Sequence, residues 1–301
     1  MSSRRTLKAR PVASGRRWVV KVGSNMVCSG GPLLIRSWML QLRSLKRQHG
    51  IEVIWVTSGA IASARERTGL SKKKSAPLAE KQALSAIGQP LVMDLYNVAL
   101  QSAGLLGAQV LLTYHDMAST HRRTNLQNTL EKLLSWDVIP ILNENDAVAT
   151  EEIKFGDNDS LSAKVATHLK ADRLIILTDV DGLYDRDPRK DPRAQLIPHL
   201  KTVTLDHLRQ TNSDGGSDRG TGGMYSKLLA ARVAAQKGVE TVLVRGDLPS
   251  ILLRLAADEV VGTRIGRRLG KNLGKNLGKS LGKSLGKSLG KSFGKSLGRS
   301  R

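Results

Sequence analysis

The chain has 301 residues, 40% of them apolar, enough for one large α/β domain or two small ones with a substantial core. Its single cysteine, Cys28, excludes an internal disulfide and suits a reducing compartment, and no apolar run approaches the roughly 18 residues a membrane span needs. The formal charge of +22 is concentrated at the ends: six basic residues in positions 1–17 and nine in 269–301, with no acid in either stretch, leave 33 basic against 26 acidic residues, or +7, in between. Overall basicity is therefore a poor argument for a nucleic-acid partner.

Residues 1–17 read as a disordered basic lead, with no apolar stretch of signal-peptide length after them. Trp18–Val22 reads as a first strand, broken by Gly23-Ser24-Asn25, a turn whose backbone N–H groups could meet anionic oxygens. Lys21 sits inside that apolar run, a costly position for a charge unless it reaches a ligand or partner, although strand-end lysines also snorkel to solvent. Pro32 suits a helix start, and Leu34, Met39, Leu42 and Leu45 carry that helix to His49-Gly50. Ile51–Val56 is a second strand, ending in Thr57-Ser58-Gly59-Ala60, a small polar turn that opens a helix and suits a carboxylate or phosphate.

A solvated loop over 71–77 precedes a helical pattern from Leu78 to about Ala103, which Gly88-Gln89-Pro90 should kink or divide. Ala108–Leu112 is a third strand, followed by a helix around Thr124–Leu134. Val138–Leu142 is a buried β-branched run, after which Asn143, Glu144, Asn145 and Asp146 stand where the strand should end. A second polar knot, Asp157-Asn158-Asp159-Ser160, precedes Leu161, Val165 and Leu169 at helical spacing, as caps do. Open α/β sheets place ligands between such strand ends and helix starts. Leu174–Leu177 is another strand, with Thr178-Asp179 at its end and an irregular crossing at Pro188 and Pro192. Residues 215–227 (G-G-S-D-R-G-T-G-G-M-Y-S-K) form a Gly-rich loop opening a helix; Lys227 falls in its first turn, where the dipole disfavours a cation unless an anion faces it. Glu240–Val244 and Val260–Ile265 complete the strands. Alternating strands and helices predict a largely parallel sheet with helices on both faces.

From Leu269 a four-residue unit repeats eight times as LGKN, LGKS, FGKS or LGRS. Only three residues separate successive glycines, and no strand precedes them, so this is not a phosphate-binding loop. Glycine in every unit costs a helix about 1 kcal/mol each, and each unit turns the leucine by about 40°, so no apolar face accumulates. Residues 267–301 read as a disordered basic tail, in which Phe293 alone offers stacking, making specific nucleic-acid binding improbable.

In order along the chain stand V-V-K-V-G-S, V-T-S-G-A-I, E-K-Q-A-L-S-A-I-G-Q, N-E-N-D-A-V, G-D-N-D, L-T-D-V-D-G-L-Y and G-T-G-G-M-Y-S-K. Together they resemble the glutamate 5-kinase family of the amino-acid kinase superfamily, over about Trp18–Ile265; N-E-N-D-A-V followed by G-D-N-D is the most specific element. The resemblance implies a kinase domain over 18–266 with an αβα sandwich, and ATP-dependent phosphorylation of the γ-carboxylate of L-glutamate on the way to proline. It assigns Lys21, Lys227 and Asp159 to catalysis, the two lysines flanking the transferring phosphoryl and Asp159 holding them. It gives Ser58, Gly59 and Ala60 to the substrate's α-carboxylate, and Asp146 and Asn158 to its ammonium. Nucleotide positions are Lys21, Gly23, Thr178, Asp179, Thr221, Gly222, Gly223, Met224, Tyr225, Ser226 and Lys227. Mg²⁺ is expected on phosphate oxygens and water, with no protein ligand assigned. A homo-oligomer, feedback binding of proline and a cytoplasmic location follow from the same likeness.

The pattern also departs from the family. Ser24-Asn25 stands where Thr-Ser or a similar pair is usual, Tyr225 replaces a small residue, and the basic repeat stands where many members carry an RNA-binding-like PUA domain. Sister kinases acting on N-acetylglutamate, aspartate or a nucleotide monophosphate are the nearest alternatives, and N-E-N-D-A-V argues against them. A basic nucleic-acid-binding protein on an inactive kinase fold is the alternative from another class.

Overall fold

A computed structural model describes residues 16–70, 76–149, 158–212 and 223–266. The expectations for the basic lead up to residue 15, for Asp157, Thr221 and Gly222, and for the tail 267–301 fall outside the described residues.

The strands are β1 (Arg17–Val22), β2 (Glu52–Val56), β3 (Leu106–Leu112), β4 (Val138–Glu144), β5 (Arg173–Thr178), β6 (His199–Leu200), β7 (Glu240–Arg245) and β8 (Thr263–Ile265). Among the described residues they form one sheet in the order β3-β4-β2-β1-β5-β7-β8-β6. All pairs are parallel except β7 with β8. From β3 to β7 the C-terminal strand ends therefore share one edge. β1 lies between β2 and β5, where connections diverge to the two sides, the switch point at which such sheets bind ligands.

Strand alternation sorts the core onto two faces. Trp18, Val20 and Val22 of β1 pack with α1 (Ser24–His49), α3 (Leu78–Ser102) and α9 (Ile251–Ala256). Val19 packs instead with α5 (Thr120–Ser135), α6 (Asn158–His168) and α8 (Met224–Gln236). This is the expected αβα sandwich. Aliphatic residues make up most of the core, and Trp18, Trp38 and Trp55 are fully buried within it, with Trp38 and Trp55 centroids 5.7 Å apart. Truncating one of them to alanine should cost about 3–5 kcal/mol.

Several boundaries differ from the sequence expectations. α1 begins at Ser24 rather than Pro32, because the Gly23 turn is itself the helix start: its carbonyl accepts from the N–H groups of Met26 and Val27 at 3.1 and 3.2 Å. Gly31 (φ 58°, ψ −164°) then interrupts the helix, and Pro32 opens the second segment. β4 runs on through Asn143 and Glu144, which pair with Leu111 and Leu112 of β3. α3 is not divided at Gly88-Gln89-Pro90: buried Leu84 on one side and Val92, Met93 and Tyr96 on the other lie at helical spacing on one helix. The last strand starts at Thr263, not Val260. The sequence reading missed α4 (Tyr114–Ala118), α7 (Leu205–Asn212), α9 and the two-residue β6. Of these, α4 carried a legible signal, a capping box in which Thr113 and Asp116 cap each other.

Candidate active site

At the end of β1, Lys21 shares the face of Val19, the side of α6 and α8. It does not snorkel: only 3% of it is exposed, and its ammonium pairs with Oδ1 of Asp159 in the first turn of α6. Lys227, in the first turn of α8, approaches Oδ2 of the same carboxylate at 3.4 Å, and the Ser226 hydroxyl donates to that oxygen at 2.9 Å. Asp159 is fully buried. Burial alone pushes its carboxyl up, but the ammonium groups of Lys21 and Lys227, with the Ser226 hydroxyl, outweigh that and hold it below the usual carboxylate range. One buried carboxylate therefore fixes two cations brought from β1 and α8. A cation in the first turn of α8 opposes the helix dipole, and Asp159 is the anion that offsets it.

Gly23 caps the start of α1, and a Cβ there would lie 3.9 Å from the Lys21 ammonium. The adjoining N–H groups of the first turn of α1 face the same edge, an arrangement suited to phosphate. Across β1, Thr178 ends β5; its carbonyl accepts from Gly246 at 2.9 Å and its hydroxyl donates to Asp179 at 3.1 Å. Asn25 donates to the other Asp179 oxygen at 3.3 Å. The residue that departs from the family pattern thus ties the β1 turn to the β5 turn. Gly223 caps α8, and Met224 packs against the core while Tyr225 is 38% exposed. Tyr225 therefore points away from the core, and its bulk is accommodated at the surface.

The turn after β2 is built on Gly59, whose φ of 105° is left-handed and caps α2 (Ala60–Thr68). Asn158, at the start of α6, reaches across to this turn. Its Nδ2 donates to the Thr57 carbonyl at 2.8 Å, the Ser58 hydroxyl at 2.9 Å and Oδ1 of Asn143 at 2.6 Å. Asp146 is half-buried in the turn that follows β4, three residues beyond Asn143 on the same edge. The predicted substrate positions Ser58, Gly59, Ala60 and Asn158 are thus gathered at one place, beside the Lys21–Asp159–Lys227 cluster, whose aspartate follows Asn158 in α6.

Sequence reasoning passed over three supporting residues. Asn143 and Gln89 stood in the quoted motifs without a role. Tyr96 had no local signal at all: its hydroxyl meets Thr57 Oγ1 at 3.0 Å and accepts from Trp55 at 2.9 Å beneath the turn. Burial pushes the Tyr96 phenol up to about 12, against the lowering effect of its two hydrogen-bond partners.

A profile of the amino acid kinase family matches residues 16–246. Proteins named glutamate 5-kinase from Burkholderia multivorans, Bordetella pertussis and Ralstonia pickettii are each 44% identical over 258 residues, covering 84% of this chain and 68% of each relative. Among solved structures, the isopentenyl phosphate kinase of T. acidophilum superposes with a TM-score of 0.57 at 17% identity, over 83% of this chain and 99% of that one. The uridylate kinase of Archaeoglobus fulgidus gives 0.54 at 21%, over 82% and 99%. Those two likenesses are of fold.

Proposed function

This chain belongs to the amino acid kinase family and, within it, to the glutamate 5-kinases; on that premise we propose that its site transfers the terminal phosphoryl group of ATP to the γ-carboxylate of L-glutamate. The product is L-glutamyl 5-phosphate, the first intermediate from glutamate toward proline. A γ-carboxylate oxygen attacks the γ-phosphorus in line, the bond from that phosphorus to the bridging oxygen breaks, and ADP leaves. The nucleophile is already ionised near neutral pH, so no general base is needed. What the reaction requires is positioning and relief of negative charge on the transferring group.

The observation that carries this reading is Asp159, fully buried, with Lys21 and Lys227 converging on it at the ligand edge of the sheet. In this assignment the two ammoniums flank the transferring phosphoryl, and Asp159 holds them and does not react. The Gly23 turn, Thr178, Asp179 and the 221–227 loop accommodate the nucleotide. The Ser58-Gly59-Ala60 turn receives the α-carboxylate, and Asp146 and Asn158 receive the ammonium. Mg²⁺ fits the site as an ion carried on the nucleotide's phosphate oxygens. Both Asp159 oxygens are committed to Lys21, Lys227 and Ser226, and among the described residues no group of three or more His, Cys, Asp or Glu could enclose a metal. When bound there, it would neutralise phosphate charge.

The test is ATP- and glutamate-dependent trapping of the acyl phosphate by hydroxylamine, comparing wild type with Lys227→Ala. Hydroxamate from wild type and a rate at least about a hundredfold lower in the variant is the expected result. Equal rates would overturn the role of Lys227. No product from folded wild type would overturn the reaction.

The same reading includes a homo-oligomer, a cytoplasmic location and competition by proline in the glutamate subsite. Millimolar proline should raise the KM for glutamate without lowering the maximal rate; an unchanged KM would remove that element.

A further inference from the structure

Behind the substrate turn, a line of side-chain amides, buried at Gln89 and Asn143 and half-buried at Asn158, runs from α3 to the start of α6. Asn143 Oδ1 accepts from the Glu144 backbone N–H at 3.0 Å, and a backbone N–H can only donate. The Asn143 amide is thereby oriented, and its Nδ2 donates to Gln89 Oε1 at 2.7 Å. The same Asn143 oxygen takes the Asn158 Nδ2 at 2.6 Å. Asn158 is anchored from its other side by the Thr57 carbonyl, which can only accept. Two backbone groups therefore set the polarity of the whole line. An amide nitrogen has two hydrogens, and Asn158 Nδ2 already serves three acceptors. The opposite end, Asn158 Oδ1, is buried and has no hydrogen-bond partner among the described residues. It is an acceptor held ready for a donor such as an ammonium.

Gln89 itself is held in place by its neighbour in the chain. A Cβ on Gly88 would come within 1.7 Å of the Ala60 carbonyl oxygen, so α3 lies directly against the backbone that opens α2. Gln89 is 7% exposed and its side chain begins at that contact. From there it reaches Asn143.

Resting on the glutamate kinase reading, we infer that Gln89 is a positioning residue for the amino-acid substrate: through Asn143 it fixes the amide of Asn158, so that Oδ1 meets the substrate ammonium. Gln89 touches no reacting group. Its removal leaves the Asn143 Nδ2 buried without an acceptor, and the Asn143 oxygen is then held toward Asn158 by the Glu144 N–H alone. The Asn158 amide is held less firmly on that side, and its Oδ1 is less well placed. The effect falls on binding of the amino acid and spares the nucleotide side, which Lys21, Asp159 and Lys227 organise independently.

The experiment is steady-state hydroxamate kinetics on the full chain for wild type, Gln89→Leu, Gln89→Glu, Asn158→Ala and the double variant Gln89→Leu/Asn158→Ala. In Gln89→Leu the KM for glutamate should rise about tenfold, with the KM for ATP and kcat within about twofold of wild type. The double variant should be no worse than Asn158→Ala alone, because both changes act on one amide. An unchanged glutamate KM in Gln89→Leu, equal losses in both KM values, or additive losses in the double variant would overturn the inference. Should Gln89→Leu fail to fold, as judged by lost ATP binding, Gln89→Glu decides. It keeps the acceptor oxygen and should hold the glutamate KM within about threefold; a tenfold rise there overturns the inference. Wild type without glutamate turnover would overturn the kinase reading and this inference with it. An active wild type with unmoved glutamate KM in the variants would overturn this inference alone.

Discussion

Asp159 concentrates more consequence in one residue than any other position. A carboxylate with no exposure is tolerable only because Lys21 and Lys227 neutralise it and Ser226 satisfies it. Asp159→Asn would leave two buried ammoniums without a counter-charge, at a cost of about 3–5 kcal/mol in folding stability. The hydroxamate rate should fall to background, and chemical denaturation would measure the stability loss. The pH behaviour follows from the direction of its shift. A carboxyl whose folded value lies below its unfolded value contributes stability that is present above the ordinary carboxylate range, and this is lost as pH falls through the depressed folded value. The acid limb of the stability curve should therefore be steeper in wild type than in Asp159→Asn. Parallel limbs would show that another group controls acid unfolding. Lys21 was legible as an anomaly in the sequence, a charge within an apolar strand. Its partner Asp159 was named only through the family resemblance, because 138 positions separate them and no local pattern links a strand lysine to a helix aspartate.

At the scale of elements, α3 shows how a helix not touching the phosphates can shape the substrate turn. Proline normally breaks a helix interior by removing one N–H bond and crowding the preceding turn. Here Leu84 before Pro90 and Val92, Met93 and Tyr96 after it are all buried, and the helix is not divided. Its close approach to α2 depends on Gly88, and two glycine replacements separate packing from backbone strain. Gly88→Ala must push backbone away from backbone, since the Ala60 carbonyl lies 1.7 Å from the new Cβ. It should cost about 2 kcal/mol or more and raise the KM for glutamate. Gly104→Ala, with φ +64° and nothing within 4 Å of the new Cβ, should cost about 1 kcal/mol of conformational strain and leave KM alone. Thermal unfolding and glutamate titrations on both variants check the pair, and equal behaviour would refute the packing role of Gly88. The continuation of β4 through Asn143 and Glu144 has the same origin, since pairing with β3 holds two polar residues extended where composition suggests a loop.

For the whole molecule, the charge is unevenly placed, and the chain outside the kinase fold carries much of it. Deleting 267–301 should leave the hydroxamate rate within about twofold, because a run of Lys and Gly offers only non-specific, salt-sensitive attraction. A large drop in activity at low and high salt alike would give the tail a place in catalysis. No helix among the described residues is long and apolar enough to cross a membrane. The sandwich itself was readable, because apolar runs alternating with helical periods leave few arrangements other than a parallel sheet covered on both sides. Short elements were not: β6 has two residues and α9 six, too few for a period to register. What the sequence by itself determined was the succession of most elements and the chemical identity of the strand ends and helix starts, including Lys21, Ser58, Asn158, Asp159, Thr178 and Lys227. These are local properties, set by hydrophobic period and turn chemistry. What the tertiary structure decided was how those groups meet: Asp159, which the family resemblance had set with the two lysines, stands between cations from different elements, and Gln89, which had no role in the sequence reading, is joined through Asn143 to Asn158. Such meetings depend on strand order and on close helix contacts such as Gly88 against Ala60, and these are settled by packing of the whole core rather than by any stretch of chain.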